Sequence, residues 1–294
     1  MTLGLQTERY LNPHSALKGE KTVIGVDMKI IVCVKQIPDP EIPPANFKID
    51  PEKKRAVAPA GKQSLVINPF DEQAVEAALR IKEPHGAKVT ALSFGSSAAN
   101  KVLKHAMAMG ADDGILLDVA GIEAYDSYST ALVLAAAIQK IGNYDLILCG
   151  RQAGDWDNGQ VGLGIAQLLG IPSVTPAQNV EITDGKLRVE RVIPEGYEVL
   201  ELTTPCVIAV SGEIGIPRYA TIQGILAASK KEVTVWNARE LGLEGIKGTI
   251  PVPRIRILKL FIPTREQHCL LIEGETLEEA VANLVLKLRD DKVI

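Results

Sequence analysis

The chain is poor in cysteine, and none of its apolar runs is long. Its four cysteines, Cys33, Cys149, Cys206 and Cys269, lie far apart and form no C-x-x-C pair, which argues against a zinc site or a disulfide framework. Because three of them stand in apolar stretches, we expect small buried hydrophobic residues in a reducing cytosol. The longest apolar run, 131–138, is far shorter than the ~20 residues of a membrane span. These absences predict a cytoplasmic protein that does not insert into a membrane.

Basic charge is scarce as well, because 36 Asp and Glu residues outnumber 32 Lys and Arg residues, for a net charge of −4. The chain therefore lacks the basic field that attracts nucleic acid. It also lacks the G-x-x-x-x-G-K-[ST] loop that binds nucleoside triphosphates. No nucleophile or base accompanies its histidines, so we predict no catalytic residue. The histidines are His14, His85, His105 and His268.

Residues 1–27 differ from the segment that follows them. They contain neither a charged start nor a continuous apolar stretch, so they do not resemble a signal peptide. The sequence MKIIVCVKQIPDP, which begins at Met28, is typical of a natural start. We treat 1–27 as an N-terminal extension that is a leader, an upstream extension or a family-specific arm.

Strand-like and helical segments alternate along the chain and predict its fold class. Runs rich in β-branched residues, typical of strands covered on both faces, occur at 29–35, 87–94, 113–118, 144–149 and 206–212. Helical patterns occur at 68–83, 96–110, 126–142 and 162–170. This alternation predicts an α/β fold with a doubly wound, mostly parallel, Rossmann-like sheet. The expected helix caps are Asn68 or Asp71, then Ser96, then Asp126 or Ser127.

Two regions interrupt the alternation. Residues 177–205 have period-two patterning around Asp184-Gly185 and Glu195-Gly196, which predicts an antiparallel meander at one edge of the sheet. Residues 276–291 have the pattern of a last helix. We therefore divide the chain into the extension 1–27, an α/β domain at 28–232 and a C-terminal helical arm at 233–294.

The segment GRQAGDWDNGQVGLG at 150–164 contains five glycines directly after a predicted strand. A glycine-rich turn between a strand and a helix brings backbone N–H groups and a helix N-terminus to a phosphate. We therefore predict a phosphate or pyrophosphate here, the alternative being a surface loop whose glycines only form turns. The sequence GLGIAQ at 162–167 carries only two glycines of a dinucleotide fingerprint and follows the fourth strand. Asp155 and Asp157 are assigned turn and ribose roles in preference to a metal or acid–base site.

Five blocks of this sequence resemble the β-subunit family of electron transfer flavoproteins. They occur in order between Met28 and about Val233 and read MKIIVCVKQIPD, INPFDEQAVEAALRIKE, AMAMGADDGILL, DLILCGRQAGDWDNGQVGLGIAQLLGIP and PRYATIQGILAASKKEV. The closing GETLEEAVANLVLKLRDDKVI resembles the family's C-terminal helix. The segment 246–274 matches the family only loosely.

The resemblance implies a partner, a cofactor and a function in electron transfer. In this family the β chain pairs with an α subunit that carries a FAD. The β chain itself holds AMP or, in members that perform electron bifurcation, a second FAD. The heterodimer accepts electrons from acyl-CoA or other dehydrogenases and passes them to a quinone reductase or another acceptor. This chain is then expected to act as an oxidoreductase only within the flavoprotein complex.

Two sets of residues correspond by position to binding residues of the family. The nucleotide contacts implied by the resemblance are Cys33, Asn68, Pro69, Phe70, Asp71, Phe94, Asp155, Trp156, Asp157, Asn158, Gly159, Gln160, Val161, Gly162, Leu163, Gly164, Ile165 and Ala166. The recognition loop that binds partner dehydrogenases comprises Arg218, Tyr219, Ala220, Thr221, Ile222 and Gln223. Ile222 takes the apolar anchor position in that loop. The alternative for the second set is an amphipathic helix packed on the sheet.

Trp156 departs from the family pattern, and an indole at this position stacks on a bound ring or obstructs one. The adjacent QVG is similar to the loop of bacterial and bifurcating members rather than the AMP-holding mitochondrial type. A function of another class is a stand-alone adenine-nucleotide sensor that resembles the universal stress proteins and acts as a homodimer. The recognition loop and the C-terminal arm argue against it, because a self-contained sensor needs neither.

Overall fold

A computed structural model describes residues 27–43, 46–50, 52, 55–57, 65–119, 126–243, 255–262 and 269–294. Apart from Asp27, the predicted extension 1–27 lies outside these residues, as does part of the segment 246–274. The chain divides into two compact units. One comprises 1–48 and 56–258, and the other comprises 49–55 and 259–294.

Strands form where the β-branched runs lie, because Val and Ile side chains pack well on a pleated surface. In the described residues the strands are β1 (Lys29–Cys33), β2 (Gln36–Pro38), β3 (Lys48–Asp50), β4 (Arg55–Val57), β5 (Leu65–Ile67), β6 (Lys88–Phe94), β7 (Asp113–Leu117), β8 (Leu146–Gly150), β9 (Ser173–Thr183), β10 (Lys186–Ile193), β11 (Gly196–Leu202), β12 (Cys206–Val210) and β13 (Thr234–Trp236).

Nine of these strands form one sheet in the order β11-β10-β9-β12-β8-β1-β6-β7-β13. The seven from β9 to β13 pair in parallel. Strands β9, β10 and β11 pair antiparallel through turns at 184–185 and 194–195. The predicted mostly parallel sheet and its antiparallel edge meander are both confirmed.

The α-helices of the described residues are α1 (Pro69–His85), α2 (Asn100–Met109), α3 (Ser127–Ile141), α4 (Val161–Leu169), α5 (Ile222–Lys230) and α6 (Leu277–Asp290). The first four cover the two faces of the sheet. Side chains of α1 and α2 join one hydrophobic core cluster, and side chains of α3 and α4 join a second cluster. In β1, Ile30 belongs to the first cluster and Ile31 to the second, as expected for a strand covered on both faces. This arrangement confirms the doubly wound fold.

A predicted side-chain cap forms at α3, but the predicted caps at α1 and α2 do not form. Asp126 caps α3 by accepting a 2.6 Å hydrogen bond from the Ser129 backbone N–H. Asn68 occupies the cap position of α1 but forms no side-chain cap, because its amide bonds to the 152–154 segment instead. Ser96 precedes a 3₁₀ turn, Ser97–Ala99, that leads into α2, and it also forms no side-chain cap. The predictions for Asn68 and Ser96 are therefore wrong.

The first unit continues beyond residue 232, where the predicted C-terminal arm begins. Strand β13 extends the sheet by pairing with β7, and Leu241 and Leu243 are buried in the second core cluster. In the second unit, α6 is the predicted last helix, and Thr276 caps its start because the Thr276 hydroxyl accepts a hydrogen bond from the Glu279 N–H. None of the helices described here is both long and apolar enough to cross a bilayer.

Candidate functional site

The carboxyl ends of β1, β6 and β8 meet where the order of the strands reverses. From β1 the chain adds β6 and β7 on one side of the sheet, and then β8 and β12 on the other. Parallel sheets bind ligands in the crevice at such a switch point. A cleft lies there, with about 840 Å³ of empty space including its open mouth.

Half of the residues predicted to contact the nucleotide line this cleft. They are Cys33, Asp71, Phe94, Trp156, Asn158, Gly159, Gln160, Val161 and Gly162. The others lie beside the cleft, in the first turns of α1, in the glycine-rich loop or further along α4. They are Asn68, Pro69, Phe70, Asp155, Asp157, Leu163, Gly164, Ile165 and Ala166.

Further cleft residues were missing from the nucleotide contacts implied by the resemblance, although the predicted phosphate segment 150–164 already contains four of them, 150–153. They are Val34, Lys35, Leu92, Asp126, Ser127, Thr130, Leu134, Cys149, Gly150, Arg151, Gln152 and Ala153. Most of them follow the end of β1 or β8 directly or stand in the first turns of α3. Their position at strand ends and helix starts was the available signal, because those ends share one edge of a parallel sheet.

Asp71 forms part of the cleft wall and ties three elements together. Its carboxylate accepts a 2.8 Å hydrogen bond from the Lys35 N–H, after β1, and a 3.1 Å bond from the Gly150 N–H, at the end of β8. Burial raises the pKa of this carboxyl to about 7, although the hydrogen bonds and the Lys35 charge lower it. Asp71 therefore titrates near neutral pH at the edge of the cleft.

Gly150 is required by close packing against α1. A Cβ atom added there would lie 2.6 Å from Asp71 Oδ1, from the Phe70 carbonyl carbon and from Phe70 Cβ. These distances are too short for any side chain. At this position glycine allows β8 to approach the start of α1, in addition to leaving backbone open to the cleft.

The two aspartates of the glycine-rich loop bond to their own chain. Lys35 Nζ lies 2.7 and 2.8 Å from the carboxylate oxygens of Asp155. Gln152 Nε2 donates a 2.8 Å hydrogen bond to Asp157 Oδ1, and Asp157 has a left-handed φ of 53°. Asp155 lies within the turn at 154–156 and also connects it to Lys35, just beyond the end of β1. Asp157 follows that turn and donates its N–H to the Ala153 carbonyl oxygen. The ribose role of both aspartates stays a prediction.

Hydrogen-bond donors that have no protein partner among the described residues belong to two elements that line the cleft, α4 and the loop after β8. Helix α4 begins after Gln160, whose side chain forms no cap, so the first N–H groups of this helix are open to a ligand. Arg151 also lines the cleft, and its guanidinium carbon lies 4.9 Å from the centre of the Phe70 ring. Its Nε is buried and has no hydrogen-bond partner among the described residues. This donor set fits an anionic group such as a phosphate.

The two cysteine thiols in the cleft are unreactive at neutral pH. Burial, followed by the negative charge of Asp71, raises the pKa of Cys149 to about 12. Burial also raises the pKa of Cys33 well above its ordinary value. Both thiols therefore stay protonated at neutral pH and are poor nucleophiles. Cys33, Cys149 and Cys206 are free and buried, as predicted, whereas Cys269 is exposed.

The predicted recognition loop consists of an extended segment, 215–221, followed by α5. Tyr219 is 93% exposed and Ile222 is 79% exposed, and Ile225 and Leu226 are exposed beside them. We call these four residues the docking surface. Helix α5 packs on α2 rather than on the sheet, since only Ala228 of α5 is buried. The alternative of a helix that buries its apolar face against the sheet is therefore wrong.

Comparison with known proteins gives consistent matches along most of the chain. The family model described as "Electron transfer flavoprotein domain" matches residues 60–241. The electron transfer flavoprotein subunit beta of Thermoanaerobacterium thermosaccharolyticum is 40% identical over 272 residues. The caffeyl-CoA reductase-Etf complex subunit CarD of Acetobacterium woodii is 37% identical over 268 residues, and the acryloyl-CoA reductase electron transfer subunit gamma of Anaerotignum propionicum is 36% identical over 278 residues. Each alignment covers 91% of this chain and 100% of the relative.

Proposed function

The chain belongs to the β-subunit family of electron transfer flavoproteins, and we propose that it forms a heterodimer with an α subunit and carries electrons from dehydrogenases to a downstream acceptor. Electron transfer is the function of this family. Two relatives are named as electron-transfer parts of acyl-CoA-type reductases, caffeyl-CoA reductase and acryloyl-CoA reductase. Those names favour an oxidoreductase that acts on a CoA thioester as the partner of this chain.

The cleft is the proposed site of an adenine nucleotide. One observation carries this part of the proposal. The uncapped start of α4 and Arg151, whose Nε has no partner among the described residues, line one cleft at the switch point of the sheet. A phosphate accepts hydrogen bonds from such donors and is favoured by the positive end of a helix dipole. We assign the phosphate to residues 160–162 and Arg151, and contacts with the rest of the nucleotide to Phe94 and Trp156.

The bound nucleotide is AMP or a second FAD. A flavin in this site would accept and donate electrons and would make the β chain a redox participant in electron bifurcation. With AMP in the site, the β chain would bind the nucleotide without taking part in electron transfer through it. In both cases the chain's own residues bind and orient the nucleotide, and the protonated Cys33 and Cys149 add no nucleophile to the cleft.

Two further surfaces are proposed to bind partner proteins. The docking surface exposes four large apolar side chains on one short helix and the segment before it, a composition that suits a dehydrogenase interface. Helix α6 has no buried residue and exposes Leu277, Val281 and Leu284. We assign α6 and the rest of the C-terminal arm to the α subunit. We place the heterodimer in the cytoplasm, which agrees with the free thiols.

The test is to co-express the chain with an α subunit of the family, purify the complex and release its nucleotides with acid. We expect a heterodimer that contains one FAD and, per β chain, one further AMP or FAD. Arg151→Gln should reduce the second nucleotide, whereas Arg188→Gln, on β10 at the meander edge, should leave its amount unchanged. A colourless homodimer that binds AMP without an α subunit would overturn the proposal and favour the stand-alone sensor.

A further inference from the structure

A group of charged side chains lies behind the docking surface and connects it to α1. Arg218 precedes α5 in the extended segment, while Glu76, Arg80 and Glu83 lie on α1. We call these four residues the Arg218 clamp. Along the extended segment, Tyr219 points to solvent, whereas Arg218 and Ala220 are partly buried and Ala220 packs against the core. The side chain of Arg218 is thus directed at the chain's own helix.

The Arg218 clamp is densely bonded. Arg218 Nε donates a 2.8 Å hydrogen bond to Glu76 Oε2, and its Nη2 donates a 3.2 Å bond to Glu76 Oε1. Its backbone N–H donates to Glu76 Oε2 as well, at 3.2 Å, and its Nη1 bonds to Glu83. Arg80 donates to Glu76 Oε1 at 2.9 Å and to the Ile214 carbonyl oxygen at 2.7 Å. The guanidinium of Arg218 is therefore shared between two carboxylates of α1.

Glu76 is the centre of the clamp and is almost fully buried, with 4% of its surface exposed. Burial by itself raises the pKa of a carboxyl, but the hydrogen bonds from Arg218 and Arg80 more than offset it and hold the pKa of Glu76 below its ordinary value. A buried carboxylate costs free energy unless it is paired. Glu76 pairs with Arg218 in the segment that leads into α5, so this ion pair fixes where that segment lies.

The opposite end of α5 is held by separate contacts. Lys104 Nζ of α2 donates to the Ala228 carbonyl oxygen at 2.8 Å and also to the Lys231 carbonyl oxygen. Lys231 Nζ donates in turn to the Asp112 carbonyl oxygen at 2.7 Å. Between the two ends, a Cβ atom on Gly224 would lie 2.3 Å from the Ala108 carbonyl oxygen. Helix α5 therefore packs directly on α2. The Arg218 clamp fixes the position of the extended segment that leads into α5.

We propose that Arg218 is a positioning residue, which holds the docking surface in the orientation that a dehydrogenase binds and does not itself contact the partner. This inference rests on the proposed function of the docking surface. It separates Arg218 from Tyr219 and Ile222, which stood beside it among the predicted partner-binding residues. The geometry gives Arg218 and Glu76 one shared role, since each is the main polar partner of the other.

The experiment tests Arg218→Gln, Arg218→Lys and Glu76→Gln in the α/β heterodimer. The matched controls are Arg188→Gln and Glu181→Gln, which break an exposed ion pair between β9 and β10. Two quantities are measured. One is KM and kcat for reduction of the heterodimer by an acyl-CoA dehydrogenase. The other is amide hydrogen exchange in 215–230 of the heterodimer alone, which does not depend on any dehydrogenase.

We expect Arg218→Gln and Glu76→Gln to accelerate exchange in 215–230 and to raise KM roughly tenfold with kcat little changed, because fewer molecules hold the competent orientation. Arg218→Lys should have a smaller effect, since lysine keeps the charge but loses the planar fork. The matched pair should change neither quantity. A raised KM with unchanged exchange would overturn the inference, because Arg218 would then contact the partner directly.

Two other outcomes separate this inference from the function on which it rests. Unchanged exchange and unchanged KM would overturn the positioning role and leave the docking surface intact. Faster exchange with unchanged KM would support the clamp and contradict the docking surface as the dehydrogenase interface. Ile222→Ala serves as the reference, because it should raise KM without accelerating exchange.

Discussion

The cleft and the docking surface differ in what surrounds their main side chains. Asp71 is buried, and its carboxylate bonds to the backbone at the ends of two neighbouring strands. Ile222 is 79% exposed and lies on a helix whose only buried residue is Ala228. The cleft is thus formed by the packing of the sheet and its helices, whereas the docking surface is attached to that framework through the Arg218 clamp and the contacts with α2.

This difference determines what a substitution changes at each place. In the cleft, the residues that face a ligand also join strands and helices, so binding and stability change together. On the docking surface, an apolar side chain can be removed without disturbing the core. The predictions below use that difference, from the largest expected effect to the smallest.

The largest expected effect concerns Asp71 and pH. Its pKa is about 7 in the folded protein against an ordinary value of 3.8, so the folded state keeps a proton that the unfolded state loses. The free energy of unfolding should therefore fall as pH rises from about 4 to 7, by up to about 4 kcal/mol from this carboxyl. Asp71→Asn should lack this decline when the heterodimer is unfolded with denaturant at a series of pH values.

Asp145→Asn is the matched control for this prediction. Asp145 also accepts a backbone hydrogen bond, from the Lys29 N–H at 2.8 Å, but it lies at the amino ends of the strands and is partly exposed. Its variant should retain the decline. If the free energy of unfolding changes with pH in the same way in wild type and Asp71→Asn, the burial of Asp71 does not control the pH dependence.

The next effect in size is steric. Gly150→Ala would place a Cβ atom 2.6 Å from backbone and side-chain atoms of Phe70, and overpacking of this kind costs roughly 1–3 kcal/mol. We expect a lower midpoint of thermal unfolding and a lower nucleotide content together. Gly154→Ala tests the same loop without the clash, because its nearest contact would be 3.5 Å from Ile37. Equal stability of the two variants would contradict the close packing described for β8 and α1.

On the docking surface, Ile222→Ala should weaken binding of the dehydrogenase by about 1–2 kcal/mol, or roughly 5- to 30-fold in affinity, because apolar anchors dominate interfaces. Thermal unfolding and nucleotide content should stay unchanged, in contrast to Gly150→Ala. Val199→Ala on β11 is the matched control, since Val199 is exposed at the meander edge of the sheet. If the dehydrogenase reduces Ile222→Ala and Val199→Ala with equal kinetics, Ile222 does not belong to the interface.

The smallest effect is expected for Trp156, which is exposed and lines the cleft. If the indole covers the bound nucleotide, Trp156→Ala should weaken nucleotide binding roughly 2- to 10-fold, the range of one aromatic contact. In the variant Trp236→Phe, Trp156 is the single tryptophan of the chain, and its fluorescence should be quenched as nucleotide is added to the depleted heterodimer. Tighter binding by Trp156→Ala would mean that the indole obstructs the site.

Much of the fold could be predicted because its signals are local. The β-branched runs became β1, β6, β7, β8 and β12, and the turn signals at 184–185 and 195–196 became the connections of the meander. Caps were less predictable, as Asn68 shows. An Asn before a helix usually caps it, but this amide instead bonds to the Gln152 carbonyl oxygen and the Gly154 N–H, more than 80 residues away along the chain.

The candidate site was predictable in part for the same reason. The glycine-rich loop is visible in the sequence because its composition is unusual. Lys35, Asp126 and Thr130 have no such mark, and they join the cleft only because the sheet brings the ends of β1 and β8 to the start of α3. Strand order is a property of long-range pairing, which no single stretch of sequence displays.

By itself the sequence determines the alternation of strands and helices, the edge meander and the blocks that mark the family, because each rests on residues close together in the chain. Only the tertiary structure decides that Asp71 is buried with a raised pKa and that Arg218 turns inward to Glu76. The two partners of that ion pair are 142 residues apart. Their chemistry depends on which distant groups the fold places beside them, because burial and hydrogen bonding, rather than residue type, set the charge and direction of a side chain.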